Sequence, residues 1–219
     1  MKTLYVLLPV LLIVFACSDP ETRSADELDT NDNTNNTDVL FNGEDLSGWE
    51  GDMEYWRVED GMIVGEFQEI EHNQFLRSTT EVQDFRLTLD VRIIDGQGNS
   101  GVQFRSTALP GGHVRGPQAD IGEGYWGKLY EELGRAWLWE EECDQHADLD
   151  GWNQYEVVAV GSKVRTAVNG NLCVDLDDPY IARKGIIALQ LHQAFGPSEI
   201  QFKNLELERD PDFELTTLE

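Results

Sequence analysis

From Asp84 to Ile94 the side chains alternate without a break: Phe85, Leu87, Leu89, Val91 and Ile93 share one parity, Arg86, Thr88, Asp90 and Arg92 the other. A period of two is the pleat of a β-strand, whose successive side chains point to opposite faces. One face of this segment therefore belongs to a core and the other does not. From Val39 onward similar short runs recur, at 54–58, 61–66, 74–79, 101–106, 117–121, 127–132, 152–160, 163–168, 172–177, 185–192 and 199–208, separated by Gly, Asn and Asp. Short strands with turn residues between them predict an all-β sandwich or barrel, and few stretches look helical. Asn169-Gly170 predicts a tight hairpin, because both residues tolerate positive φ. Its register stays open: Val168 opposite Asn171 leaves a mixed face, and a one-residue slip redistributes it.

The chain before Val39 is of another kind. Lys2 and the apolar run Leu4 to Phe15 have the lengths of a signal peptide, too short to span a bilayer, and Val14-Phe15-Ala16-Cys17 resembles a lipobox. The expected organisation is a lipoprotein signal peptide (1–16), an acylated Cys17 with a disordered acidic tether (17–38), a folded domain (39–209) and a C-terminal tail (210–219). Such a protein is extracytoplasmic and held at a bacterial membrane by lipid; the acidic run after Cys17 points to the outer membrane or cell surface. In that oxidising compartment Cys143 and Cys173 leave two states open, a disulfide or two buried thiols. A formal net charge of −26 speaks against a nucleic-acid partner, since no Lys/Arg cluster offsets it.

Residues 116–139 concentrate the usable chemistry, with Gln118, Asp120, Glu123, Tyr125, Trp126, Glu131, Glu132 and Arg135 close together. Parity sorts these and similar residues onto one surface. If Val102 and Phe104 face the core, Gln103 and Arg105 face away; Ala119 and Ile121 do the same for Gln118 and Asp120. Leu129 turns Tyr130 and Glu132 outward, and Ile187, Leu189 and Leu191 turn Gln190 and His192 outward. Long amides, carboxylates, one guanidinium and one imidazole suit the hydroxyls of a sugar, and aromatic rings suit its C–H faces. The plainer alternative is a solvated sheet whose polar side chains merely face water.

At this point the chain resembles a known family, the 3-keto-disaccharide hydrolase domain. The matching pieces run in family order and include Leu40 to Trp49 (LFNGEDLSGW), Trp56 to Gly61, Gly98 to Arg105 (GNSGVQFR), Gly116 to Ile121, Tyr125 to Glu132, Gly185 to His192 and Phe202 to Leu205. The resemblance spans about 40 to 207. It implies a concanavalin A-like jelly roll of two curved antiparallel sheets whose concave face binds carbohydrate. It also implies action on glycosides oxidised to a ketone at C3, by proton abstraction beside the ketone, elimination and hydration. On that chemistry Glu132 is the expected base, and Arg105 and His192, or a divalent cation held by Asp120, the enolate stabilisers. Gln103, Gln118, Tyr125, Trp126, Tyr130 and Gln190 are the expected sugar-binding groups. One departure from the family is the segment Gln193 to Pro197 after His192. Two other functions compete. A non-catalytic carbohydrate-binding lipoprotein would use Trp126, Trp137 and Trp139; a conventional glucanase is disfavoured because Gln118, in Gln118-Ala-Asp-Ile-Gly-Glu123, cannot serve as a carboxylate nucleophile.

Overall fold

The computed structural model of the chain describes residues 37–96 and 98–216. The expected signal peptide, Cys17 and the tether as far as residue 36 lie outside the described residues. Fifteen strands follow in chain order: β1 (Thr37–Val39), β2 (Trp49–Glu50), β3 (Trp56–Glu59), β4 (Met62–Phe67), β5 (Gln74–Val82), β6 (Phe85–Ile93), β7 (Ser100–Ala108), β8 (Val114–Ile121), β9 (Leu129–Glu132), β10 (Ala136–Trp139), β11 (Asn153–Val160), β12 (Lys163–Val168), β13 (Asn171–Asp177), β14 (Gly185–Leu191) and β15 (Ser198–Arg209). They form two antiparallel sheets, an all-β jelly-roll sandwich. One sheet is ordered β13-β12-β11-β6-β15-β4-β3 with β1 added beside β15, and the other β10-β9-β8-β7-β14-β5-β2.

The alternation that opened the sequence is the core of this sandwich. Phe85, Leu87, Leu89 and Val91 are buried between the sheets, facing Phe104, Ile121, Leu129, Leu189 and Leu191. Strands β1, β2 and β10 fall in none of the runs read from the sequence. Thr37 and Asp38, expected in the tether, are strand residues paired with Glu208 and Leu207.

The Asn169-Gly170 hairpin has positive φ at both turn residues. Its register is both of the expected alternatives in succession. Val168 pairs with Asn171 and Ala167 with Leu172, then a bulge at Cys173 moves the pairing on so that Thr166 faces Val174. Past the bulge Val174 is buried, so the slip restores the apolar parity that the turn alone would spoil. Cys173 itself is bonded to Cys143, with Cα atoms 5.8 Å apart. That disulfide sits against Gly127, where an added Cβ would come within 2.7 Å of both cysteine Cβ atoms and where φ is +79°. Cys143 N–H also donates to Trp126 O, and Gly124 N–H to the Asp144 carboxylate, so the crosslinked loop holds the 122–127 turn in place.

The last described residues do not form a free tail. Leu215 is buried against Val158 and Ala167, and Thr216 bonds the Glu156 carboxylate. Arg86 and Arg165 hold the carbonyls of Asp212, Phe213 and Glu214. Residues 210–216 are a strap across the outer face of β11 and β12.

Candidate active site

The face of the second sheet turned away from the core carries a groove of about 420 Å³ lined by Asn73, Asn99, Gln118, Asp120, Tyr125, Tyr130, Glu132, Trp137, Gln190, His192 and Phe195. Strand register explains how distant residues meet here. Gln118 is paired with Tyr130, and Tyr130 with Trp137; one row along, Asp120 is paired with Gly101. Gly101 has no side chain because the Gln118 side chain lies over it; a Cβ there would come within 2.6 Å of Gln118 Cγ, Cδ and Nε2.

Below the groove runs a chain of buried amides. Ser106 Oγ donates to Gln103 Oε1 (2.7 Å), Gln103 Nε2 to Gln118 Oε1 (2.8 Å), and Gln118 Nε2 to Asp120 Oδ1 (2.6 Å) and Gln190 Oε1 (3.1 Å). Gln103 is fully buried and does not line the groove. Its expected contact with sugar is corrected to orienting Gln118. Gln190 is also fully buried, and its Nε2 has no hydrogen-bond partner among the described residues. A shielded amide donor left without an acceptor costs free energy, and here it lies at the end of the amide chain, under the groove.

Three acid–base groups of the groove, Asp120, Glu132 and His192, respond to burial. It drives the Asp120 carboxyl up to about 7; the Gln118 hydrogen bond and Lys128 oppose the shift, while the nearby Glu132 charge adds to it. Burial also raises Glu132, whose carboxylate has no hydrogen-bond partner among the described residues. The His192 pKa is lowered by burial, which favours the neutral ring at pH 7. His192 Nδ1 accepts the Ala194 N–H at 3.2 Å, capping the single turn Gln193–Phe195. With Nδ1 an acceptor, the neutral imidazole carries its proton on Nε2.

An aromatic wall closes one side. Tyr125 stacks on Trp137 with centroids 6.4 Å apart, Trp137 meets Tyr130 edge-on at 5.0 Å, and Phe195 stands edge-on to Tyr125 and to His192. Lys128 Nζ lies 5.4 Å and 5.5 Å from the Tyr125 and Trp137 ring centres.

Two expected site residues are elsewhere. Arg105 is 1% exposed and points into the end of the sandwich. It donates to the carbonyls of Gln83, Ala159, Gly161 and Ala182 and to Asp84 Oδ1. The alternation breaks there because Arg105 adopts a φ of 48° in a bulge, shifting the register between Gln103 and Thr107. Gly185 on the neighbouring strand makes room, since a Cβ at that position would fall within 2.6 Å of Arg105 and Ser106 backbone atoms. Trp126 is 2% exposed and packs edge-on against Tyr155 in the core, so it cannot stack on a sugar. The ring surface comes instead from Trp137, named in the sequence only as a possible lectin aromatic, and from Phe195. Phe195 stands within the five-residue departure from the family pattern. Asn99 belongs to the GNSG segment, while Asn73 follows no motif. Glu123 is exposed and does not line the groove.

Among the described residues no group of three or more His, Cys, Asp or Glu side chains is placed to hold a metal ion. The amide oxygens of Gln118 and Gln190 beside Asp120 already accept hydrogen bonds. The residues present therefore do not fit the divalent cation allowed at Asp120, and no step is assigned to one.

Residues 36–208 match the model of a family described as the 3-keto-alpha-glucoside-1,2-lyase-like domain. Among solved structures, two candidate glycosyl hydrolases from Parabacteroides distasonis superpose with TM-scores of 0.62 and 0.63 at 22% and 21% identity. These alignments cover 80% and 79% of this chain and 94% and 98% of those chains. The Bacillus subtilis carbohydrate-binding module CBM66 superposes with a TM-score of 0.58 at 18% identity, over 74% of this chain and 95% of its own. Identities this low show a shared jelly-roll architecture alone. A search of curated proteins found no match.

Proposed function

Because the chain belongs to the 3-keto-alpha-glucoside-1,2-lyase-like domain family, we propose that it cleaves glycosides already oxidised to a ketone at C3. The ketone acidifies the C2 hydrogen. Glu132 takes that proton, and the electron pair passes to the C3 oxygen as an enolate. Collapse of the enolate re-forms the ketone and breaks the C1–O bond, leaving a C1–C2 double bond. Water then adds across that bond and restores the 3-keto sugar.

What supports this division of labour is one observation: three groups in a single groove have environments that set them apart. Glu132 is a partly desolvated carboxylate with no hydrogen-bond partner among the described residues, as a base needs. Asp120 titrates near neutrality and can hold a proton for the departing oxygen. Neutral His192 offers Nε2–H to the enolate oxygen without spending a charge, in the role expected jointly of Arg105. Gln118 and the free donor of Gln190 would hold sugar oxygens, and Trp137 and Tyr130 the apolar face. The test is turnover of methyl 3-keto-glucoside. Glu132→Gln is expected to lower kcat by about 10² to 10⁴-fold and to stop solvent deuterium entering C2 during turnover. Full activity of that variant would remove the base assignment. Sugar binding by the unmutated protein with no turnover would favour the non-catalytic lectin, for which the aromatic wall serves equally well.

The Cys17 lipid anchor belongs to the same proposal. The Cys143–Cys173 crosslink supports an oxidising, extracytoplasmic location. Palmitate labelling that is lost in Cys17→Ser is the expected result.

A further inference from the structure

The groove occupies only part of its sheet face. Beyond it lies a second depression of about 500 Å³, larger than the groove, with Arg77 and Phe75 on its floor and Tyr55, Glu71, His72 and Gln74 on its sides. The two hollows share a partition. Asn73 lines the groove, its chain neighbours His72 and Gln74 line the depression, and Phe75 is the strand partner of Gln190.

Arg77 is the anomaly. It lies on β5 between Ala188 and Glu50 of the adjoining strands, and its side chain is four-fifths buried, at 19% exposure. A guanidinium brings five donors. The nearest carboxylate, Glu50, is 4.0 Å away and itself 69% exposed, and Arg77 Nε is fully shielded with no partner. No other hydrogen bond from this side chain occurs among the described residues. Arg105, two strands away, is satisfied by five acceptors; Arg77, less deeply buried, has almost none. Nε alone is shielded from outside; the terminal nitrogens are not, and beyond the distant Glu50 they have no acceptor among the described residues, which leaves them for a ligand oxygen in the hollow.

The surroundings define that ligand. Glu50 and the exposed carboxylates Asp52 and Glu71 surround the single guanidinium, so the hollow is net negative and an anion would be repelled. A cation would meet Arg77. What fits both signs is a neutral polyol: hydroxyl oxygens accept from Arg77, hydroxyl hydrogens go to Glu71, Asp52 and the Gln74 carbonyl oxygen, and the Tyr55 ring offers a face to C–H groups. The wall is already organised, because His72 is held between Gln74 Nε2 at 3.3 Å and the His113 ring at 5.0 Å. We infer that this depression is a second carbohydrate subsite, taking a neutral hexose unit through Arg77 and Glu71. It does not depend on the reaction proposed for the groove.

Binding is measured in the Glu132→Gln background, where no turnover interferes. The probes are an array of neutral gluco-, galacto-, manno- and xylo-oligosaccharides, with oligogalacturonate and inorganic phosphate as anionic arms. The expected result is binding of at least one neutral series, weakened at least tenfold by Arg77→Ala and likewise by Glu71→Ala, and not displaced by saturating methyl 3-keto-glucoside. Glu71 is exposed, so its variant tests the site even if Arg77→Ala unfolds. The inference is overturned if no neutral oligosaccharide binds, if an anion binds in preference, if Glu71→Ala binds as the parent does, or if methyl 3-keto-glucoside displaces the oligosaccharide. A groove without catalytic activity would leave every binding arm of this experiment standing.

Discussion

Two buried polar clusters begin two residues apart on β7, and they have opposite characters. Gln103 opens the amide chain that runs through Gln118 to Asp120 and Gln190, beneath the groove. Arg105 opens a set of bonds to Asp84 and four backbone carbonyls at the end of the sandwich. In the Arg105 cluster charge is matched by charge and the guanidinium donors find carbonyls, although burial still pulls the Arg105 pKa down to about 10. In the Gln103 cluster the chain ends unfinished, with a free donor on Gln190 and a carboxyl whose proton is held up to about pH 7. The first arrangement rigidifies, and the second leaves its last hydrogen bond and its last proton for something else. Buried polarity is therefore a sign of function only when it is incomplete.

That contrast can be broken by mutation. Arg105→Met should be the most damaging change to stability, about 3–5 kcal/mol, because it strands Asp84 and several carbonyls inside the protein. Denaturant unfolding measures it, and a loss under 1 kcal/mol would show that the Arg105 cluster is as dispensable as a surface pair. Asp120→Asn should do the reverse at alkaline pH. The folded-state pKa is raised above its unfolded value of 3.8, so the folded state holds the proton more tightly, and stability falls as pH rises from about 4 to about 7. Above that window the ionised form costs up to roughly 4 kcal/mol. The variant should lose this pH dependence, be more stable than the parent at pH 8, and lose activity. An unchanged slope between pH 4 and 7 would show that Asp120 titrates normally.

The next effect sits between the two regions. Reducing Cys143–Cys173, which closes 30 residues of chain, should cost about 3 kcal/mol. It should also raise KM, because the crosslink supports the turn that presents Tyr125. Equal KM for reduced and oxidised protein would confine the disulfide to stability. Smallest is Gln103→Ala, expected to cost about 1–2 kcal/mol and to lower kcat while KM changes less, since Gln103 touches Gln118 and not the ligand. If KM rises with no change in kcat, Gln103 reaches substrate after all.

Much of this was legible before any coordinates. The alternation of Phe85 to Ile93 implied a half-buried strand, and the parity of Ala119, Ile121, Leu189 and Leu191 turned Gln118, Asp120 and Gln190 to one surface, where they meet. The family model matches residues 36–208, a span that contains the GNSG and LFNGEDLSGW segments from which the resemblance was read. Parity failed at Arg105 because it assumes an unbroken pleat, and one residue at positive φ redirects the side chain. Trp126 failed for a different reason: it lies in a turn, where no period applies, and a core position beside Tyr155 was open to it. Trp137 was named only for the non-catalytic alternative, and Phe195 was missed because a single helical turn carries no pattern.

By itself, the sequence determined which residues could share a face, since side-chain parity along a strand is a local property of the backbone. Tertiary structure alone decided which shared polar residues became a groove and which became a brace. That choice depends on whether a neighbouring strand brings an acceptor, as the carbonyls around Arg105 do, or leaves a donor bare, as at Gln190 and Arg77. Hydrogen-bond satisfaction is a property of packed neighbours, and no residue's own letter records it.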